Sequence, residues 1–132
     1  MKIIFPGLLL AALATNAYAD NRIYSSAFQE CKKTASNIDS QSRCVTNEIA
    51  EQKQRLNRVY RHLIEKLSKE QANSLERVQR NWITWRDGNY NFLAEQVPGE
   101  FSTTRVTSLN FLLNSIYDRA EELEMVTDEI GN

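Results

Sequence analysis

The sequence predicts an all-α fold: an antiparallel three-helix bundle with a short, disulfide-stapled helix at its N-terminal end. Apolar residues recur at alternating spacings of three and four from Val45 to Leu123, as on the buried faces of packed helices. No window shows the strict alternation of a half-buried strand. After residue 19 only Pro98 and three glycines are present to break a helix. These three observations together favour long helices over any sheet.

The first nineteen residues predict a secretory signal peptide. Lys2 gives a positive start, residues 3–13 form an apolar stretch, and residues 17–19 (Ala-Tyr-Ala) give a small-x-small cleavage site. The apolar stretch is shorter than the roughly 20 residues of a membrane span. We therefore expect a signal peptide at residues 1–19 and one exported domain at residues 20–132, periplasmic or secreted, with no stable membrane anchor.

The two cysteines, Cys31 and Cys44, both lie in the exported part of the chain. An even number of cysteines in an oxidising compartment predicts a disulfide. A redox pair would have the spacing Cys-x-x-Cys, which the twelve residues between these two do not resemble. A short helix within residues 24–36 and a polar turn at residues 37–42 would bring the cysteines together.

The first long helix is predicted from Val45 to about Leu67. Its apolar face follows a four-three-four spacing and comprises Val45, Ile49, Gln52, Leu56, Val59 and Leu63. Ser68 followed by Gln71 is a capping box that would begin the next helix.

The second and third long helices are separated by Pro98-Gly99, which cannot continue a helix. The expected inward face of the second is Leu75, Val78, Trp82, Trp85, Asn89 and Phe92. The third would begin at a cap among residues 102–104 (Ser-Thr-Thr), with an inward face of Val106, Leu109, Leu113, Ile116, Ala120 and Leu123. Short connections predict antiparallel neighbours around one core, and the tail from Thr127 is expected to fray.

The motif Leu75-x3-Gln79-x2-Trp82-x3-Arg86-Asp87 is the most informative stretch, since its spacing places these side chains on one side of a helix, with Trp85 beside them. We expect Arg86 to pack along an indole and to bond to a carbonyl or carboxylate. Trp82 and Trp85 are expected in the core. An indole that proved exposed would instead be the best anchor for a protein partner.

The order of motifs resembles that of the LprI-type lysozyme inhibitors, a family of small exported helical domains. The resemblance covers residues 31–123, within an expected domain core of about 31–125. It is carried by the two cysteines and by motif residues expected to be structural: Leu56, Asn57, Tyr60, Leu75, Gln79, Trp82, Arg86, Asp87, Arg119 and Leu123. Family members often carry two further cysteines. The corresponding positions of this chain lie near Tyr90 and Leu112 and hold other residues, so one disulfide fewer is expected. The resemblance implies a protein-binding domain that inhibits lysozyme sterically.

Catalytic and cofactor chemistry is not expected. His62 is the single histidine, and with both cysteines paired it can form neither a nucleophilic triad nor a metal site. Glycine-rich phosphate loops are absent from the sequence. We therefore predict no enzyme, no catalytic residues, no metal and no cofactor.

The C-terminal half of the chain is acidic: from residue 88 onward only Arg105 and Arg119 are basic, against eight acidic residues. Since lysozymes are typically basic, carboxylates would favour association and orientation at their cleft. The candidate partner-binding residues are Glu121, Glu122 and Glu124, and the alternative is an ordinary solvated face. A basic strip on the first long helix is interpreted as solvated or as an intramolecular complement to the acidic helix: Lys53, Arg55, Arg58, Arg61, Lys66 and Lys69. Nucleic acid is not an expected partner.

Two alternatives to lysozyme inhibition stay open. One is an immunity-type protein that neutralises another exported toxin or cell-wall hydrolase. The other is a structural or accessory envelope protein that self-associates through its helices. The sequence determines neither the partner nor the oligomeric state.

Overall fold

A computed structural model describes residues 20–131, which form four helices. They are α1 (Ser26–Thr34), α2 (Ile38–Lys66), α3 (Lys69–Glu95) and α4 (Phe101–Ile130). This part of the chain contains no strand, so the prediction of an all-α fold is confirmed. The predicted signal peptide, residues 1–19, lies outside the described residues. None of the four helices combines the length and the hydropathy that crossing a bilayer requires.

Side-chain caps fix where α2 and α3 begin. The Asn37 side chain accepts a hydrogen bond from the Ser40 backbone N–H at 2.8 Å. At α3, Ser68 Oγ accepts from the Gln71 N–H at 3.2 Å, and Gln71 Oε1 accepts from the Ser68 N–H at 2.9 Å. This is the predicted capping box, and it satisfies donors that the first turn of a helix leaves without partners.

Both predicted ends of α4 need correction. The helix begins at Phe101, before the predicted cap residues, and the Thr104 hydroxyl donates to the carbonyls of Glu100 and Phe101 within the first turn. At the other end the expected fraying is wrong, because α4 continues to Ile130. Thr127 is buried, and its hydroxyl donates to the Leu123 carbonyl at 2.7 Å.

The hydrophobic core lies between α2 and α4, which run parallel to one another. Arg55 bonds to Glu124 in the C-terminal halves of the two helices, and Lys66 lies beside Gly131 at their ends. The core residues come from both predicted apolar faces: Val45, Ile49, Leu56, Leu63, Leu113, Ile116, Ala120 and Leu123. Removing these side chains from water is the main stabilising contribution to the fold.

Helix α3 packs antiparallel against α4, and its backbone lies farther from α2 than that of α4 does. It contributes no fully buried residue, and it joins the core only through partly buried side chains. Leu75 and Trp82 are partly buried, whereas Val78, Trp85 and Phe92 are about half exposed. The prediction that Val78, Trp85 and Phe92 face inward was wrong. The polar side chains of Gln79 and Arg86 lie at the helix contact instead, so these three apolar residues are turned toward solvent.

The N-terminal arm is fixed to both α2 and α4. The predicted disulfide joins Cys31 to Cys44, with 5.7 Å between their Cα atoms. Arg22 donates through Nε and Nη2 to the two carboxylate oxygens of Asp118, each at 2.7 Å. The short helix and its disulfide to α2 are therefore as predicted, and the contacts with α4 are an addition. The expected polar turn at residues 37–42 was wrong, because the Asn37 cap starts α2 at Ile38, seven residues before Val45.

A buried carboxylate, Glu48 on α2, anchors the start of α1. It accepts hydrogen bonds from the Ser25 N–H at 3.0 Å, from the Ser25 hydroxyl, and from Gln52 Nε2 at 2.9 Å. Ser25 Oγ also accepts from the Phe28 N–H and so caps α1. One serine therefore begins the short helix and holds it against α2, which leaves the arm a fixed part of the scaffold.

Candidate protein-binding surfaces

The sequence motif forms a polar and aromatic cluster where α3 meets α4. The Trp82 ring lies close to two guanidinium groups: its centroid is 5.1 Å from Arg86 Cζ and 5.9 Å from Arg119 Cζ. Arg119 Nε donates to Gln79 Oε1 at 2.9 Å, which joins α4 to α3. Arg86 Nε donates to Asp87 Oδ1 at 2.9 Å. The motif thus places its charged groups against an indole within a helix contact.

The motif residues of α2 have unequal roles. Leu56 is buried in the core, and Tyr60 is partly buried against it. The pKa of the Tyr60 hydroxyl is raised, first by burial and then by the negative charge of Glu76. Asn57 is exposed, and its carbonyl accepts a bond from Arg61 of the same helix. Asn57 therefore lies on the solvent-exposed side of α2.

All three candidate glutamates are bonded within the chain, and two of them bond to another helix. Glu121 and Glu124 both accept hydrogen bonds from the guanidinium of Arg55 on α2. The bond to Glu124 is the main cause of the raised pKa of Arg55, and the bond to Glu121 adds to it. The guanidinium also lies 4.9 Å from the centroid of the Tyr117 ring. Arg55 of the predicted basic strip therefore complements the acidic helix internally.

Glu122, the third candidate, lies on the other side of α4, beside α3. Its Oε2 accepts from Arg119 Nη1 at 2.9 Å. It borders an open groove of about 340 Å³ between the two helices, which is lined by Trp82, Trp85, Ser115, Asp118, Arg119 and Glu122. The structure thus separates Glu122 from Glu121 and Glu124 and places it beside the tryptophans.

An aromatic surface continues along this groove. The prediction that Trp85 is a core residue was wrong, because 52% of its surface is exposed. Its ring centroid lies 5.6 Å from that of Phe111 on α4, with the ring planes tilted. Val78, Trp85 and Phe92 are seven residues apart and hence on one side of α3. We call this the α3–α4 aromatic face, comprising these three residues and Phe111.

Comparison with known proteins assigns the chain to a family. Residues 31–123 match the family model described as "Lysozyme inhibitor LprI". The chain belongs to the LprI family. Family membership and the disulfide indicate an exported protein. Neither the curated proteins nor the solved structures yielded a match.

The LprI family is named for inhibition and not for an enzymatic activity. Within residues 20–131 no three His, Cys, Asp or Glu side chains are grouped so that they could hold a metal ion. His62 is exposed and borders a shallow groove between α2 and the end of α4, shared with Arg58 and Asp128.

Sequence reasoning did not single out Phe111 or Asp118, which both border the aromatic face or its groove. A signal for them exists in the chain: Phe111, Ser115, Asp118 and Glu122 follow a four-three-four spacing beside the core face of α4. This spacing defines a second side of the same helix. It differs from a core face only in its mixed polarity, which is why it was passed over in favour of the apolar residues.

Proposed function

We propose that residues 20–132 form a single exported protein-binding domain that inhibits a basic lysozyme by covering its substrate cleft. The observation that carries the proposal is the match of residues 31–123 to the lysozyme inhibitor LprI family. The inhibition is steric: the domain binds across the cleft and excludes the polymer, and no covalent step is involved.

The rigidity of the scaffold supports a steric mechanism. The Cys31–Cys44 disulfide fixes α1 to α2, and the Arg22–Asp118 ion pair fixes the arm to α4. The family-motif cluster of Gln79, Trp82 and Arg119 joins α3 to α4, so we assign these residues a role in the scaffold. A preorganised surface loses little conformational entropy on binding, which leaves more of the contact free energy as affinity.

Charge supports a basic partner. The exposed carboxylates of α4 attract a cationic protein, which raises the association rate at low ionic strength. Of the three candidate glutamates we assign the main docking role to Glu122. Glu121 and Glu124 bind Arg55, so reversing their charge would also disturb the α2–α4 contact. Glu122 bonds to Arg119 of its own helix, so changing it leaves the α2–α4 contact in place and gives the cleaner test of docking.

The proposed function is tested by a muramidase assay in which the purified domain, residues 20–132, is titrated against a basic c-type lysozyme. The titration is made at low salt and at about 0.15 M ionic strength, where the Debye length is about 8 Å. We expect stoichiometric inhibition that weakens as salt is added. The same domain unfolded by reduction and denaturant serves as the control. Full lysozyme activity in a large molar excess of folded domain would reject this target.

The exposed α3–α4 aromatic face favours one further candidate function, a self-associating accessory protein of the envelope. An apolar face on a long helix can pair with a second copy of itself. Analytical ultracentrifugation over a wide concentration range distinguishes the two functions. A strict monomer supports the inhibitor, and a concentration-dependent dimer supports the accessory role. An immunity-type role would use the same surface, and assays against other cell-wall hydrolases test it.

A further inference from the structure

The α3–α4 aromatic face exposes apolar side chains that the fold itself does not cover. Val78, Trp85 and Phe92 are each more than half exposed, although all three are apolar and two are large aromatics. Single exposed apolar residues are common, but contiguous ones on one helix side mark surfaces that bind partners. Tryptophan is moreover enriched among the residues that dominate binding energies. Trp85 is thus the natural anchor of an interface.

The charge at the groove has a definite sign as seen from solvent. The side chains of Asp118 and Glu122 are 48% and 57% exposed, whereas those of their partners Arg22 and Arg119 are 27% and 11% exposed. Arg119 is turned inward over the Trp82 ring. An approaching protein therefore meets carboxylate oxygens, while the compensating guanidinium groups lie beneath them. This arrangement favours a cationic partner.

The groove also retains capacity to bind a cation. Glu122 uses Oε2 for Arg119, and within the described residues its Oε1 has no hydrogen-bond partner. A carboxylate offers about four lone-pair sites, so Asp118 can accept further bonds beside its two from Arg22. Trp82 is occupied by two guanidinium groups, whereas the more exposed Trp85 contacts Phe111 and remains open to a cation from outside.

We propose that the groove bordered by Trp85 and Glu122 receives a Lys or Arg side chain of a basic partner protein, with Val78 and Phe92 covering the apolar surface around it. The volume of about 340 Å³ suits one long side chain. This inference rests on the proposed function and names its docking surface. The proposed docking site therefore lies on the side of α4 that faces α3, and not on the side that carries Glu121 and Glu124.

The first test measures the affinity of domain variants for a basic c-type lysozyme by calorimetry. W85A removes the anchor and E122Q removes one charge. Two matched controls are E121Q, on the same helix but bonded to Arg55, and F101A, an aromatic that is 76% exposed at the start of α4. Circular dichroism verifies that each variant is folded.

We expect W85A to weaken binding by roughly 30-fold, as for an interface hot spot. E122Q should weaken it by about 5-fold at low salt and by less at high salt. E121Q and F101A should stay within about twofold of the unchanged domain. Equal losses in controls and groove variants, or unchanged binding of W85A and E122Q, would overturn the proposal.

A second measurement separates failure of the groove from failure of the proposed function. A short Lys- and Arg-containing peptide is titrated into the domain at low salt, while the indole N–H resonances are followed by NMR and assigned with W85F. The Trp85 resonance should shift and the Trp82 resonance should shift much less. If the Trp85 resonance shifts but lysozyme does not bind, the groove proposal stands and lysozyme is rejected as the target. If lysozyme binds W85A and E122Q as tightly as the unchanged domain, lysozyme stands as the target and the groove proposal is rejected. A wild-type dimer that W85A dissociates would assign the face to a second copy and overturn the proposal.

Discussion

Replacing Cys31 and Cys44 by serine should lower the stability of the domain by about 3 kcal/mol. The disulfide closes a loop with a sequence separation of 13. In the chain-entropy model a loop of this size restricts the unfolded state by about 3 kcal/mol at 25 °C. At roughly 2.1 cal/mol/K per residue for a domain of about 110 residues, each kcal/mol corresponds to about 4 °C, so the thermal midpoint should fall by about 12 °C.

The native contacts of the arm explain why the loss should be no larger. After the disulfide is removed, Arg22 still binds Asp118 and Ser25 still binds Glu48. Thermal and urea unfolding followed by circular dichroism should therefore show one cooperative transition at a lower midpoint. The unchanged domain with and without a reductant is the matched control. Equal midpoints for the oxidised domain and the double-serine variant would refute the loop-entropy reasoning.

Three further stability predictions follow from single residues. L63A should cost about 2–5 kcal/mol in urea unfolding, because Leu63 is 1% exposed in the core and truncation leaves a cavity; a loss below 1 kcal/mol would contradict this packing. G88A should stabilise by about 0.5–1 kcal/mol, since Gly88 lies within α3 and a Cβ there meets no atom within 4 Å; destabilisation would show that the bare backbone is needed. Burial raises the pKa of Tyr24, whose hydroxyl donates to Asn114, so folding favours the neutral phenol. The contribution of the Tyr24 hydroxyl to the free energy of unfolding is complete below about pH 10 and is lost as pH rises through the folded-state pKa. Y24F should therefore reduce the alkaline loss of stability, and an unchanged pH profile would argue against this assignment.

Much of the fold could be predicted because its signals are local or periodic. The Ser68–Gln71 capping box is a four-residue pattern, and the apolar faces of α2 and α4 each repeat over about five turns. The rotation of α3 could not be predicted in this way. It depends on the hydrogen bond between Gln79 and Arg119, two residues far apart in the sequence. The apolar pattern on its own predicted that Trp85 faces inward.

The candidate site could be predicted only in composition. The sequence showed that the last helix is acidic, and that an exposed indole would mark an interface. It could not show that Arg55 binds Glu121 and Glu124, because that contact depends on the packing angle of α2 against α4. Nor could it show that Glu122 and Trp85 border the same groove. Side-chain direction across helix contacts was the missing information.

The most direct test of the proposed function is a competition experiment. The inhibition of a basic c-type lysozyme by the domain is measured while a soluble chitooligosaccharide that fills the substrate cleft is added in increasing amounts. Because a sterically bound domain and the oligosaccharide cannot occupy the cleft together, the apparent inhibition constant should rise linearly with the oligosaccharide concentration from its value in the absence of oligosaccharide. An inhibition constant independent of the oligosaccharide, or no inhibition at any domain concentration, would contradict cleft occlusion by this domain.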